Sequence, residues 1–168
     1  GFLVEKELTE LSRLDNPEKP FILILGGSKV ADKIGVIENL VNKADYILIG
    51  GGMAFTFLKA SGVNTAKSVI DEESLDFAKK MVTMYPEKII LPTDVNAFEE
   101  FNNDANNRYV DINSLNENEM GLDIGPNTVE KFSNILSTAK IVFWNGPLGV
   151  YEFEKCTLGS QKILEYLV

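Results

Sequence analysis

The sequence of 168 residues contains no histidine and only one cysteine, Cys156. The absence of histidine excludes Ser-His-Asp and Cys-His nucleophilic systems and every metal site with an imidazole ligand. A single cysteine cannot form an internal disulfide, and Cys156 lacks a candidate base, so we expect it to be a partly buried helix residue. Because the chain also starts without a signal-like segment, the sequence predicts a reduced, cytoplasmic protein.

Positive charge and long apolar runs are also scarce. The 16 Lys and Arg residues stand against 25 Asp and Glu, which gives a net charge of −9. Such a chain has no long-range attraction for nucleic acid or anionic membranes, so neither is expected as a partner. No apolar run approaches the roughly 20 residues that span a bilayer. The sequence therefore predicts a soluble globular domain that binds any anion through locally concentrated cations.

The stretch on which the interpretation depends begins with an uninterrupted apolar run, Phe21–Leu25. A run without alternation is typical of a strand buried on both faces of a parallel sheet. Two glycines follow, and apolar residues then recur at helical spacing, which predicts a helix with Ser28 as its N-cap. Lys29 and Lys33 would then lie in the first turns, on one side of the helix.

Two lysines at that position are electrostatically unfavourable. Like charges four residues apart repel, and each cation opposes the helix macrodipole by roughly 0.3–1 kcal/mol. Glycines, free first-turn N–H groups and two ammonium groups together suit an oxyanion such as phosphate. The alternative is an ordinary strand, turn and helix whose lysines are simply solvated.

The rest of the chain alternates strand and helix patterns, which predicts an α/β fold with a parallel sheet. The predicted helices cover about residues 3–14, 28–41, 53–61, 71–85, 127–139 and 155–167. The predicted strands lie within residues 21–25, 45–52, 88–94 and 141–144. Residues 95–125 are predicted to form a small hairpin and a solvated loop, whose unpatterned carboxylates do not indicate a metal site.

Two further strands end in segments suited to a ligand. Glycines occupy positions 50–52, and the last strand runs into the loop 145–152. Ligands of parallel α/β sheets bind at the carboxyl ends of the strands. Glu152 would accept from ribose hydroxyls, and Leu122, Pro147 and Val150 would form apolar walls for a base. Neither the dinucleotide fingerprint nor the Walker motif occurs, and tight strand–helix packing remains the alternative.

Six segments, in order along the whole chain, together resemble the C-terminal, nucleotide-binding domain of the phosphoglycerate kinase family. They are GFLVEKEL at 1–8, GGSKVADKI at 26–34, GGGMAFTFL at 50–58, LPTD at 91–94, MGLDIGP at 120–126 and FWNGPLGVYEFE at 143–154. The departures are minor: Ala66 stands where a glycine is common, and residues 156–160 vary a stretch that usually begins with an aromatic residue.

The resemblance implies a Rossmann-like, three-layer αβα fold with a mostly parallel sheet. Residues 1–15 would form an interdomain-type helix and residues 16–168 a partial nucleotide-binding domain. The strand order would be third, second, first, fourth, followed by two strands beyond Val168. A chain truncated at these C-terminal strands would expose its fourth strand, residues 141–144, as a hydrophobic edge.

The resemblance also implies a set of site residues. It assigns the nucleotide phosphates to Gly26, Gly27, Ser28, Lys29, Lys33 and Asn145. It assigns the adenine and sugar pocket to Gly51, Gly52, Phe55, Val69, Gly121 and Leu122, and the frame of the ribose and base to Pro147, Gly149, Val150 and Glu152. Lys33 would be the catalytic residue that follows the transferred phosphoryl group.

The implied reaction is phosphoryl transfer from 1,3-bisphosphoglycerate to Mg-ADP, giving 3-phosphoglycerate and ATP. Such chemistry needs positioning and charge neutralisation rather than a covalent nucleophile. The phosphoglycerate site would belong to an N-terminal domain, and the aspartate that holds Mg²⁺ would follow Val168. The intact family protein is usually a monomer, and this chain alone would be inactive. The alternative is a catalytically silent nucleotide-binding or assembly module.

Overall fold

The computed structural model describes residues 16–168, so the helix predicted at 3–14 lies outside the described residues. The strands are β1 (Phe21–Leu25), β2 (Tyr46–Ile49), β3 (Ile89–Ile90), β4 (Asp94–Phe98), β5 (Asn107–Asp111), β6 (Met120–Ile124) and β7 (Ile141–Asn145). The α-helices are α1 (Ile34–Leu40), α2 (Met53–Ala60), α3 (Leu75–Met84), α4 (Pro126–Leu136) and α5 (Leu158–Leu167). Short 3₁₀ turns cover Val30–Lys33, Glu72–Ser74, Ile112–Ser114 and Glu154–Cys156.

Four strands form a parallel sheet in the order β3-β2-β1-β7, which confirms the predicted order. Leu23 in β1 is opposite Ile47 in β2 on one side and Phe143 in β7 on the other. Every residue of β1 is fully buried, as its unbroken apolar run requires in a sheet covered on both faces.

Helices cover both faces of this sheet, which gives the expected three layers. Alternate residues of β1 point to opposite faces. Leu23 packs in a cluster with residues of α1, α2 and α3. Ile24 packs in a second cluster with Phe132 of α4 and Ile163 of α5. The described part of the chain is therefore an α/β fold of αβα type.

Strand β7 lies at the sheet edge among the described strands, but the expectation of an exposed apolar edge is only partly correct. The backbone of β7 pairs on one side, with β1. Its side chains are nevertheless covered, because Phe143 is 0% and Trp144 8% exposed. The helices supply this cover, since Trp144 packs with Phe132 and Ile163. The side chains at the centre of the strand are therefore covered, whereas Ile141 and Asn145 at its ends are partly exposed.

The expectation of a single strand at 88–94 is wrong. Only Ile89–Ile90 pair with β2, and Asp94 begins β4, which belongs to a second, antiparallel sheet of order β5-β4-β6. Pro92 explains the break, because proline cannot donate to a sheet ladder. The buried Asp94 carboxylate instead caps α4, accepting from the Asn127 and Thr128 N–H groups at 3.0 and 2.8 Å.

The predicted hairpin is confirmed as β4 and β5, but part of the predicted loop is a third strand, β6. Met120, Leu122 and Ile124 alternate along β6 with Gly121 and Asp123. This alternation is a strand signal, but glycine and aspartate have low β propensity and conceal it. A register shift at Asn96 and Ala97 marks a bulge where β4 meets β6.

The prediction of Ser28 as an N-cap is also wrong. After β1 the chain forms the 3₁₀ turn Val30–Lys33, and α1 begins only at Ile34. A residue distant in sequence provides a hydrogen-bond acceptor for this turn, since the Ala31 N–H donates to the Asp71 carboxylate at 3.0 Å. No local hydroxyl is therefore needed to cap this end.

Candidate functional site

A cavity of about 410 Å³ lies at the carboxyl ends of the parallel strands, between the two sheets. We call it the inter-sheet cavity. It is lined by Gly27, Ser28, Gly52, Val69, Phe101, Gly121, Leu122, Pro147, Gly149, Val150, Tyr151 and Glu152. The loops after β1, β2 and β7 contribute to it, so it has the position expected for a ligand site in a parallel α/β fold.

Backbone hydrogen bonds join these three loops directly. The Gly27 N–H donates to the Pro147 carbonyl at 2.9 Å, and the Gly51 N–H donates to the Leu148 carbonyl at 3.0 Å. A Cβ on Gly26 would collide with the Pro147 carbonyl oxygen. Position 26 therefore has to be glycine for the loops after β1 and β7 to pack with their backbones in contact. The glycine clusters form the frame of the cavity in this way.

A lysine, Lys33, lies beside one end of the cavity, next to Gly27, although it is not among the residues that line it. A Cβ on Gly27 would lie 3.7 Å from Cε of Lys33, so the lysine stem runs beside the cavity wall. The Lys33 ammonium donates to Oδ1 of Asn145 at 3.1 Å. Burial lowers the pKa of Lys33 from its usual value, and the charge of Asp32 opposes that effect. The result is a half-buried cation, fixed by a strand-end amide.

Lys29 has a different environment from Lys33. It lies before the 3₁₀ turn rather than inside a helix, so the prediction that both lysines share one helix side is wrong. Lys29 lines an adjacent cleft of about 270 Å³ with Asp71, Glu72 and Glu73. The two spaces share Ser28 and Val69 in their walls. The structure therefore separates a lysine beside the cavity from one that faces an acidic cleft.

The opposite wall of the cavity is apolar and comes from the antiparallel sheet. Gly121 and Leu122 of β6 contribute to it. A Cβ on Gly121 would collide with the ring of Phe55, so Phe55 lies directly behind the wall, buried in a cluster with Val95 and other residues. Such a surface suits a flat apolar group better than a charged one.

Two aromatic residues of the wall, Phe101 and Tyr151, are not among the predicted site residues. The Phe101 ring is 4.7 Å from that of Phe153 at an interplanar angle of 55°, and its side chain is 54% exposed. Tyr151 is 71% exposed. The sequence places Phe101 in the segment predicted as solvated loop, so only its aromatic character could have singled it out.

The cavity brings together ten of the predicted site residues. They are Gly27, Ser28, Gly52, Val69, Gly121, Leu122, Pro147, Gly149, Val150 and Glu152. Lys33 and Asn145 lie at its lysine end, and Gly26, Gly51 and Phe55 lie behind its walls. Lys29 alone faces the neighbouring cleft. The roles of all these residues remain predictions.

The described residues do not provide a fit for Mg²⁺. Residues 16–168 contain no group of three or more Asp, Glu or Cys side chains arranged to hold a metal ion. Asp123 is the buried carboxylate next to the cavity, and both its oxygens already accept backbone N–H bonds.

Among residues 16–168, no helix is long and apolar enough to cross a membrane.

The fold and the cavity together define an α/β protein with a cavity at the carboxyl edge of a parallel sheet. The family model of phosphoglycerate kinase matches residues 1–168, so the chain belongs to the phosphoglycerate kinase family. It is 49% identical over 170 residues to phosphoglycerate kinase of Corynebacterium diphtheriae, covering 100% of this chain and 42% of that protein. It is 51% identical over 164 residues to the enzyme of Lactobacillus delbrueckii subsp. bulgaricus, covering 97% and 40%.

Solved structures agree with this assignment. Phosphoglycerate kinase from Coxiella burnetii superposes with a TM-score of 0.88 at 37% identity, covering 96% of this chain and 43% of that one. The Pyrococcus horikoshii enzyme gives a TM-score of 0.84 at 28% identity, covering 96% and 42%. The chain thus spans less than half the length of the relatives it matches.

Proposed function

We propose that this chain is the ADP- and ATP-binding part of a glycolytic phosphoglycerate kinase, which acts in the cytoplasm. The reaction would transfer the acyl phosphate of 1,3-bisphosphoglycerate to ADP, giving 3-phosphoglycerate and ATP. The observation that carries the proposal is the inter-sheet cavity, in which three glycine-rich strand ends, a half-buried lysine and an apolar wall meet.

The lysine end of the cavity is suited to phosphates. Gly27 allows close approach of an anion to the backbone, and the half-buried Lys33 ammonium supplies positive charge in a protein whose net charge is −9. Asn145 holds that ammonium at 3.1 Å, so the cation is positioned before the nucleotide arrives. Phosphoryl transfer depends on such positioning and charge neutralisation, which is the role we assign to Lys33.

The other end of the cavity is suited to a nucleoside. Gly121 and Leu122 offer a flat apolar wall to the base, and Pro147 and Val150 face the same space. Glu152 is exposed at the cavity and would accept hydrogen bonds from the two ribose hydroxyls. Val69 and Phe101 would extend the apolar contact with the base.

The remaining parts of the reaction are assigned outside these residues. The chain corresponds to 42% of the length of a curated relative, and we assign the phosphoglycerate site to the rest of such a protein. Mg²⁺ would enter as a complex with the nucleotide. Residues 1–168 by themselves would then bind ADP without turnover in a coupled ATP-forming assay, whereas the full-length gene product would catalyse the reaction.

The experiment that tests the proposal is an ADP titration of the full-length gene product by calorimetry. Lys33→Ala removes a charge-assisted hydrogen-bond donor worth about 1.5–3 kcal/mol, so ADP affinity should fall by about tenfold or more. Lys79→Ala is the matched control, since Lys79 is an exposed lysine of α3 outside the cavity lining. The control should leave ADP affinity unchanged.

The contrary outcomes separate the two candidate functions. Absence of ADP binding by the unmodified protein would contradict the proposed site altogether. ADP binding without phosphoryl transfer by the full-length gene product would support the catalytically silent module instead. Equal ADP affinities of the unmodified protein and Lys33→Ala would remove Lys33 from the phosphate site.

A further inference from the structure

Asp123 is a buried carboxylate directly beside the inter-sheet cavity. Its side chain belongs to β6 and is 2% exposed, and the preceding residue, Leu122, lines the cavity. One carboxylate oxygen accepts from the Ile124 N–H at 2.8 Å, and the other accepts from the Gly159 N–H at 3.0 Å. It forms no ion pair with another described residue.

The Asp123 carboxylate lies where the loop after β7 meets the first turn of α5. Asp123 forms a backbone bridge with Gly149, and the Val150 N–H donates to the Leu122 carbonyl at 2.9 Å. A Cβ on Gly149 would lie 2.5 Å from Oδ1 of Asp123, and one on Gly159 would lie 2.7 Å from it. The carboxylate therefore fills the space between the loop after β7 and the first turn of α5.

We propose that Asp123 is a positioning residue for nucleotide binding, which holds the loop of Gly149, Val150 and Glu152 in place by tying it to the first turn of α5. The inference rests on the proposed function, because the loop supplies the residues assigned to the ribose and the base. A second bond supports the same junction, since the Leu148 N–H donates to the Ser160 hydroxyl at 2.9 Å.

Burial disfavours the charged form of Asp123, so its two carboxyl oxygens rather than its charge fit it to this junction. Burial raises the pKa of Asp123 to about 8, even though both N–H bonds act to lower it. Burial is also the main cause of the raised pKa values of the neighbouring Tyr109 and Cys156, that of Cys156 to about 12, and the charged form of Asp123 adds to both. Two oxygens on one short side chain accept from both the Ile124 and the Gly159 N–H groups, and a residue with a single acceptor oxygen would not supply this reach.

The test compares Asp123→Asn with Asp94→Asn in the full-length gene product. Both carboxylates are buried in the antiparallel sheet, but Asp94 caps α4, whereas Asp123 follows the cavity-lining Leu122 and contacts the loop after β7. Asp123→Asn should raise the KM for ADP about tenfold, leave kcat and the KM for 1,3-bisphosphoglycerate unchanged, and accelerate hydrogen exchange at the Val150 amide. Asp94→Asn should lower the melting temperature without changing the KM for ADP.

A second measurement needs no variant and covers the case in which Asp123→Asn does not fold. By linkage, saturating ADP should slow hydrogen exchange of the Gly159 amide, the partner of Asp123, more than that of the Thr128 amide, the partner of Asp94. Equal slowing of the two amides overturns the inference. A rise in both KM values together, or an unchanged KM for ADP in Asp123→Asn, also overturns it. Failure of the unmodified protein to bind ADP would instead contradict the proposed function, while faster Val150 exchange in Asp123→Asn would still support the junction.

Discussion

The two sheets contribute different kinds of groups to the cavity between them. The parallel sheet ends in glycine loops with the Lys33 ammonium beside them, an arrangement suited to negative charge. The antiparallel sheet contributes Gly121 and Leu122, backed by the buried ring of Phe55, which are suited to an apolar surface. One cavity thus has a polar end and an apolar end, and each end follows from the architecture of its sheet.

The difference has a physical origin. Parallel strands end at the same edge, so their loops meet there and close packing of backbone against backbone requires glycine. An antiparallel sheet instead turns one whole face toward its neighbour, and its alternating side chains make a continuous wall. A nucleotide has a charged end and an apolar base, so the proposed site lies where the two sheets meet.

The largest effect is expected on the side of the parallel sheet, from Gly51→Ala. Gly51 has φ +68°, and a Cβ there would lie 2.6 Å from the nitrogen and oxygen of Gly27. The left-handed conformation costs roughly 1–2 kcal/mol, and overpacking adds about 1–3 kcal/mol. We expect the free energy of unfolding to fall by this sum, as measured by urea denaturation. Gly35→Ala is the control, since a Cβ there meets nothing within 4 Å.

Gly35→Ala should be neutral or should stabilise the protein by up to about 1 kcal/mol, because alanine is the better helix former. Equal stability of both variants would show that the loops after β1 and β2 adjust freely. The polar end of the cavity would then not be a rigid frame, and the contrast between the two sheets would weaken.

Much of the parallel sheet could be predicted because its strands are unbroken apolar runs. The run Phe21–Leu25 has no period that competes with a buried strand, and it is fully buried. The antiparallel sheet could not be predicted as well, because β6 contains Gly121 and Asp123, two residues that local propensity places in turns. Their positions are explained by distant partners, Phe55 and Gly159, which a local pattern does not contain.

The site shows the same limit at individual residues. The meeting of the glycine clusters and apolar loop residues could be predicted, since eight of the ten predicted residues in the cavity lining are of these two kinds. The separation of Lys29 from Lys33 could not, because it depends on a 3₁₀ turn tied to Asp71, 40 positions further along the chain. Phe101 was missed for a related reason, since its ring is placed by Phe153 from another loop.

The antiparallel side is tested next, through the pH dependence of stability. Asp123 has a folded pKa of about 8, against about 4 in an unfolded chain, so between these values the folded state binds more protons. Its contribution to stability is therefore complete below about pH 4 and is lost as the pH rises toward 8. Urea denaturation from pH 5 to 8 should show that the free energy of unfolding of the unmodified protein falls relative to that of Asp123→Asn. The fall per pH unit should be at most the slope that one additional bound proton in the folded state produces. A constant difference would contradict the buried, unpaired state of Asp123.

The smallest effect is expected from Glu152→Gln, which probes the loop between the two ends of the cavity. The amide keeps an oxygen acceptor but loses the charge, a difference of about 1 kcal/mol or about fivefold in ADP affinity. Because the loss arises at the ribose hydroxyls, it should disappear when the titrant is 2′,3′-dideoxy-ADP. Glu73→Gln removes a charge from the neighbouring cleft and measures the general electrostatic effect on an anionic ligand. If Glu152→Gln weakened both nucleotides equally, the carboxylate would act on the loop rather than on the ribose.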